Sequence, residues 1–329
     1  MENFHELFKK FSSVKVGVIG DVMLDTYMWG DVDRISPEAP VPIVSLKNKE
    51  YRIGGAGNVA LNLQSLGAKP FILSVTGQDD DAIQLSSLLT SQHINCDYCI
   101  TSKDRITTNK TRVISRSQHM MRLDAEITRD LCNEDQKKLI ELFEHFVERE
   151  KPDIVILEDY NKGVLTEPLI RIVISVCKEA GVITAVDPKR KNFLQYKGVD
   201  LFKPNLKEVK DALNLLFSEP NLTLLQDIHK ELAVLLHHHI SFITLSEKGV
   251  FYTEGEKAAI IPSHLRKIAD VSGAGDTVIA VASLVYAITK NVRLMAEVAN
   301  IAGGLVCEEV GTVAINREKL LHECELLLS

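Results

Sequence analysis

Asp270 to Ala280 reads DVSGAGDTVIA, and within it stand the residue types needed to grip an anion and to move a proton beside it. Gly273, Ala274 and Gly275 lead into a run of small and apolar residues with helical character. Backbone N–H groups at such a helix start face whatever lies ahead of it, and the helix dipole favours negative charge there. Asp276 falls in the first turn, where its carboxylate would sit beside the anion and take a proton from an alcohol attacking a phosphoryl group. No Gly-Lys-Ser/Thr follows the glycines, which excludes a P-loop, and the spacing is not that of a dinucleotide fingerprint. A second small-residue stretch, GGAGNVALNLQSLGA from Gly54 to Ala68, turns on Gly54, Gly55 and Gly57, where backbone can approach a ligand closely. Asn58 opens its amphipathic helix with a donor and an acceptor for hydroxyl groups. Taken alone, that stretch fits a plain loop and helix cap equally well.

Strands must carry both loops. VKVGVIGD, Val14 to Asp21, is an apolar run ending in Gly-Asp, the pattern of a buried parallel strand whose C-terminal end opens on a ligand crevice. GDVDRISPEAPVPIVSL holds three prolines and reads as irregular chain leading to an edge strand near Val41–Leu46. FILSVTG is the next strand and Asp80 to Ser91 the next helix. From about Asn95 to Asp124 the βα rhythm breaks, and RITTNKTRVISRSQHMMRLDAE alternates around a Ser117–Gln118 turn as a hairpin does. The rhythm returns with a helix from Asn133 to Glu148, the strand DIVILED, a helix Thr166–Ala180, the strands VITAVD and DLFKPN, helices through Leu236 and the strand FITLS. A hairpin-like pair, GVFYTEG and KAAIIPS, precedes the opening loop and its helix, and two more helices follow. The expected fold is α/β: a doubly wound, mostly parallel sheet with helices on both faces. Segments 21–50 and 95–124 are left over as a small β subdomain within one domain spanning 1–329.

Composition narrows the partners. A formal net charge of −7 over 329 residues leaves no global field for nucleic acid, and KRKN, Lys189 to Asn192, is too short a basic loop to supply one. No apolar run approaches the roughly 18 residues of a membrane span. The start, MENFHELFKKFSSVKVGVIGD, lacks a secretory pattern; a cytoplasmic protein is expected. Of six cysteines only Cys96 and Cys99 have ligand-like spacing, with no second pair to complete a zinc set. His237–His239 also lack partner ligands, and Trp29 is read as packing.

GGAGNVALNLQSLGAKPFILSVTG and DVSGAGDTVIA together resemble the two signatures of the ribokinase-like (PfkB) carbohydrate kinases, in order and spacing. Val281 departs from that pattern, which prefers Gly or Ala. The resemblance runs over nearly the whole chain and implies a β lid over the sugar, which accounts for the leftover β segments. It implies Asp276 as catalytic base and an anion hole of Gly273, Ala274, Gly275 and the Asp276 N–H. NLKE, Asn205 to Glu208, matches a third family feature: Glu208 acting through water on Mg²⁺, and Asn205 near the ATP phosphates. Ser246, Gly249, Val271 and Asn300 are implied on the nucleotide side, and Asp270, Ser272 and Gly311 as holders of a monovalent cation such as K⁺. GDVMLDTYMWGDVDRISPEAPVPIV, TRVISRSQHMMRLD, EDYNKGVL and VDPK further resemble the branch of that family that acts on heptose 7-phosphates. That branch implies phosphorylation of the anomeric O1, toward the inner core of lipopolysaccharide. Sugar contacts are then expected from Asp21, Asp25, Gly54, Gly55, Ala56, Asn58, Asp159 and Asp187. A distal phosphate would draw on Lys110, Arg112, Arg116, Lys162 and Lys189. The chain shows no HxGH-type nucleotide loop, so a separate nucleotidyltransferase is expected downstream, and an exposed lid edge points to a homodimer. A kinase for a fructose or tagatose phosphate, or a silent sugar-binding regulator, stay open as alternatives.

Overall fold

The computed structural model describes residues 3–116, 118–264 and 266–328. The chain enters through α1 (Phe4–Lys10) into β1 (Lys15–Gly20), where Val16 to Gly20 are all buried, as in a strand covered on both faces. It then leaves for a long hairpin, β2 (Val22–Ile35) and β3 (Pro42–Gly55), and returns through α2 (Ala56–Ser65), β4 (Lys69–Gly77), α3 (Asp80–Ser91) and β5 (Asn95–Ser102). A second excursion makes β6 (Thr108–Ser115) and β7 (Gln118–Ala125). Regular alternation follows through α4 (Asn133–Glu150), β8 (Ile154–Glu158), α5 (Glu167–Ala180), β9 (Ile183–Asp187), β10 (Leu201–Phe202), α6 (Leu206–Leu213), α7 (Leu222–Leu236) and β11 (Ile240–Thr244). The antiparallel pair β12 (Val250–Glu254) and β13 (Lys257–Ile261) precedes α8 (Ala274–Thr289), α9 (Val292–Val306) and α10 (Arg317–Leu328).

Two sheets result. The main one runs β13-β12-β11-β10-β9-β8-β1-β4-β5, parallel from β11 to β5. One apolar layer covers each face. The smaller sheet runs β3-β2-β6-β7. Paired residues share a face, so Asp25, Arg52, Lys110 and Asp124 line one side together with Tyr27 and Arg112. Met28, Val113, Met121 and Leu123 line the other.

The lid boundaries differ from the sequence expectation. Asn95–Ser102 pairs with β4 at the edge of the main sheet, so the second lid segment begins at Thr108. The first extends to Gly55, and the stretch read as irregular is a hairpin whose prolines cost nothing. Pro37 and Pro40 lie in the connection and Pro42 opens the edge strand, where no ladder N–H is required. Of the expected turn, Gln118 opens β7 and Ser117 lies outside the described residues. No described helix is long and apolar enough to cross a membrane.

Candidate active site

From β1 the chain winds one way, to β4 and β5, and later the other way, to β8 and onward. A crevice opens outside the carboxyl ends of the strands at such a reversal. Parallel register there sets Gly20 beside Glu158 and Glu158 beside Asp187. Asp276, in the first turn of α8 and 3% exposed, lies at this crevice. Its Oδ1 accepts the Tyr160 hydroxyl at 2.6 Å and its Oδ2 the Asn58 amide at 2.7 Å. Burial pushes its carboxyl above the usual range, and these two hydrogen bonds pull back against that. Asn58 is itself fixed at the start of α2, where Asn62 binds its carbonyl.

Gly273 caps α8 with φ +78°, and a Cβ there would stand 2.7 Å from the Asn58 amide. Only glycine fits both the backbone and the space. Among the described residues no acceptor engages the N–H of Gly275 or of Asp276, which leaves a short row of donors at the helix start. Ala274 donates only weakly, to Val271 O at 3.3 Å. Asp187 Oδ2 lies 3.5 Å and Lys203 Nζ 3.8 Å from where a Gly275 side chain would begin. Lys203 is buried and pairs with Asp187 at 2.7 Å; Lys189 pairs with Asp187 at 3.1 Å and with Glu208 at 2.7 Å. Burial alone would raise the Asp187 carboxyl, but the two lysines outweigh it and hold it below its usual range. An alternating row of charge, Lys203, Asp187, Lys189, Glu208, therefore runs beside the anion-binding turn.

Several expected positions sit elsewhere in the chemistry. Asp21, expected to meet the sugar, directs its carboxylate at the loop after β8 and accepts the N–H groups of Tyr160, Lys162 and Val164 at 2.9, 3.0 and 3.0 Å. It ties the loop after β8 to the end of β1. Asp159 is engaged in the same way, by Asn161 N–H on one oxygen and by Asn192 and Tyr196 on the other, and burial pushes its carboxyl up to about 6. Arg116 stands far out on the lid, 75% exposed, and reaches Asp33 only at 3.8 Å.

Asp25 is on the inner lid face and pairs with Arg112 at 2.5 Å; a Cβ at Gly54 would fall 2.4 Å from its Oδ2. Gly55, at φ +59°, and Ala56 close that loop under the lid, and Lys162 pairs with Glu126 at 2.8 Å. Lys110 has no carboxylate within ion-pair distance among the described residues. Its ammonium lies 5.3 Å from the centre of the Tyr160 ring, and burial pushes its pKa down.

At the end of that charged row, Asn205 and Glu208 form a reciprocal capping box at the start of α6. Glu208 thus carries a backbone N–H on one oxygen and Lys189 on the other. Ser246 and Gly249 shape the turn after β11, Gly249 packs against the 261–263 backbone, and Asn300 donates to Pro262 O at 2.9 Å. Val271 stands 67% exposed. Asp270 accepts Ser272 N–H and Oγ on Oδ1 and Gly311 N–H on Oδ2.

Sequence reasoning missed Tyr160, Lys203 and Glu158. Glu158 is fully buried, and neither of its oxygens has a partner among the described residues. Burial first, then Asp187 and Asp276, drive its carboxyl well above the usual range, toward the neutral acid. Its sequence signal was a polar ending to the apolar run DIVILED; Lys203 gave the same signal in DLFKPN.

This fold and site define a ribokinase-like kinase. Residues 14–319 match the family described as pfkB family carbohydrate kinase, and the chain belongs to it. It is 37% identical over 323 residues to a protein of Desulfatibacillum aliphaticivorans named bifunctional protein HldE, covering 97% of this chain and 65% of that one. It is 39% identical over 313 residues to the protein of the same name from Methylobacillus flagellatus, covering 94% and 62%. The chain thus spans slightly under two thirds of the length of these relatives. Among solved structures, phosphofructokinase-2 of Escherichia coli in complex with potassium superposes with a TM-score of 0.80 at 17% identity, covering 96% of this chain and all of that one. Ribokinase of Arabidopsis thaliana complexed with ribose and ATP gives 0.73 at 17%, covering 94% and 98%.

Proposed function

We propose that this sugar kinase transfers the γ-phosphoryl group of ATP to the anomeric O1 of D-glycero-β-D-manno-heptose 7-phosphate, in the cytoplasm where ATP is held. The observation that carries the reading is the buried Asp276 carboxylate, clamped between Tyr160 and Asn58 at a helix start with free N–H groups. The lid strings that resemble heptose-phosphate kinases, and the identity to proteins named HldE, support the choice of sugar.

The sugar lies between the strand ends and the inner lid face. Gly54, Gly55, Ala56, Asn58 and Asp25 meet its hydroxyls, and Lys110 and Lys162 meet the 7-phosphate. Asp276 takes the O1 proton. The N–H groups of Gly275 and Asp276, with that of Ala274, which Val271 holds only weakly, hold the transferring phosphoryl oxygens in a site from which the lid excludes water. Lys203 and Lys189 add positive charge beside that turn. Glu208 would hold Mg²⁺ through water, since each of its oxygens carries one partner and keeps a free lone pair, and the ion would supply positive charge against the nucleotide phosphates. A monovalent cation at Asp270, Ser272 and Gly311 would have to share a carboxylate already engaged by three donors. We assign it no step.

The test is a panel of heptose 7-phosphate, fructose 6-phosphate and tagatose 6-phosphate with ATP, read by ADP release and by the phosphorus resonance of the product. Rapid use of the heptose with an anomeric phosphate is expected. Turnover of fructose 6-phosphate with none of the heptose would reassign the substrate, and no sugar-dependent ADP release at all would favour a silent regulator.

A further inference from the structure

Arg52 lies on β3, two residues before the glycines that open the sugar loop. Its side chain crosses to the loop after α9. Nη1 donates to the carbonyl of Val310 at 2.8 Å and, more weakly, to that of Thr312 at 3.4 Å. Nε donates to Glu50 at 2.7 Å, and the guanidinium stacks 4.7 Å from the centre of the Tyr27 ring. Tyr27 is another lid residue, and its hydroxyl accepts the N–H of Thr312 at 3.4 Å. Gly311, between the two gripped carbonyls, has φ +76°, and a Cβ there would lie 2.6 Å from Arg52 Nη1. The close approach of the arginine therefore requires a glycine at that point.

The same three residues continue inward. Gly311 N–H donates to Asp270 Oδ2 at 2.9 Å, and Asp270 Oδ1 accepts Ser272 N–H at 3.0 Å and Ser272 Oγ at 2.9 Å. Ser272 immediately precedes the turn whose N–H groups start α8. An unbroken series of hydrogen bonds thus links a lid side chain to the anion-binding turn. A planar guanidinium suits this place, because Nη1 can reach the 310 and 312 carbonyls while Nε holds Glu50 and the face lies on an aromatic ring.

We propose that Arg52 is a positioning residue that couples lid closure over the sugar to the ordering of the anion-binding turn. Its Nε and Nη1 donors are taken by Glu50 and by the carbonyls of Val310 and Thr312. When the lid is down, its grip on 310–312 fixes Gly311, which fixes Asp270 and Ser272; when the lid lifts, that grip is lost. Sugar binding then raises affinity for the nucleotide, and phosphoryl transfer waits for the sugar.

The inference rests on the kinase reading, so the wild type is first shown to turn over the sugar phosphate used. That step separates a wrong substrate from a wrong coupling residue. A non-hydrolysable ATP analogue is then titrated with and without saturating sugar phosphate. In the wild type the sugar is expected to tighten the analogue by about tenfold, within the usual span of coupling between sites. Arg52→Met keeps the apolar stem over Tyr27 and removes every donor. It is expected to bind analogue alone and sugar alone as the wild type does, to bring the coupling factor within about twofold of one, and to lower kcat by about 10²-fold, the cost of a small misplacement. Coupling that survives in Arg52→Met would overturn the proposal. So would an equal loss of both binary affinities, which a purely structural arginine would produce. Should Arg52→Met fail to fold, Arg52→Lys is titrated in its place: its single ammonium keeps the charge without the fork, and coupling lowered by at least threefold is expected, with unchanged coupling counting against the proposal.

Discussion

At the scale of single residues, Asp276 carries the heaviest assignment and has the most direct test. Asp276→Asn keeps the shape and the burial but cannot accept a proton. Turnover is expected to fall by ~10²–10⁴-fold with the thermal midpoint nearly unchanged, and near-wild-type turnover would remove the base role. Tyr160 bears on the same carboxylate through its charge state. Its hydroxyl bond favours the ionised form and pulls the pKa of Asp276 down, against a burial effect that pushes it up. Tyr160→Phe removes that pull, so the folded pKa rises further and more of the base is protonated at a given pH. The acid limb of the kcat/KM profile should therefore move to higher pH, while the plateau above it changes little. A limb that stays in place, or moves down, would show that the bond to Tyr160 is not what tunes Asp276.

At the scale of elements, the loop after β8 illustrates what local sequence can and cannot convey. Asp21 at the end of a buried strand has the look of a ligand, and nothing near it in sequence reveals that Tyr160, Lys162 and Val164 direct their N–H groups at it. Those contacts span some 140 positions of chain and exist only because β8 lies beside β1. The glycine turn before α8, the GGAGN loop and the capping box at α6 were legible, because each is a local pattern of small or capping residues. Glu158 and Lys203 showed only as polar endings to apolar runs, and parallel register is what brings them to the crevice; Tyr160 gave no local sign, since its place follows from long-range bonds to Asp21 and Asp276. Likewise, β5 falls within the break in βα rhythm, because β6 and β7 follow it with no helix between. The strap itself can be weighed. Asp21→Ala leaves three N–H groups without acceptors, one buried and two half-buried, at roughly 1–3 kcal/mol each before water relieves them, so a loss of about 3 kcal/mol in urea unfolding is expected. Burial raises the Asp21 carboxyl in the folded state above its ordinary value of 3.8. The stability tied to its proton is fully present below that value and fades as pH rises through the folded one. The gap between wild type and Asp21→Ala should accordingly narrow on going from acid toward neutral pH; a gap that widens would contradict the assignment.

At the scale of the whole molecule, the lid presents two unlike faces, and only one of them serves the crevice. The inner face carries Asp25, Arg52, Lys110 and Arg112. The outer face carries Met121 and Leu123 on β7 and Leu46 on β3, 57%, 53% and 56% exposed, with Ile35 and Val41 at the tip of the hairpin also exposed. A monomer rarely leaves so many large apolar side chains open on one small sheet, and β3 and β7 are both free edges. Two copies related by a twofold axis would cover that face with the same face of the partner, and the lid would then be held by the dimer as well as by its own chain. The chain is accordingly expected to be a dimer at micromolar concentration by light scattering after size exclusion. Introducing Met121→Asp and Leu123→Asp together should yield a monomer with an unchanged main-domain fold, since neither side chain packs on the core. Because the lid lacks its cover in that monomer, KM for the sugar phosphate should rise more than KM for ATP. A wild type that runs as a monomer, or a double variant that stays dimeric, would place the contact elsewhere or nowhere.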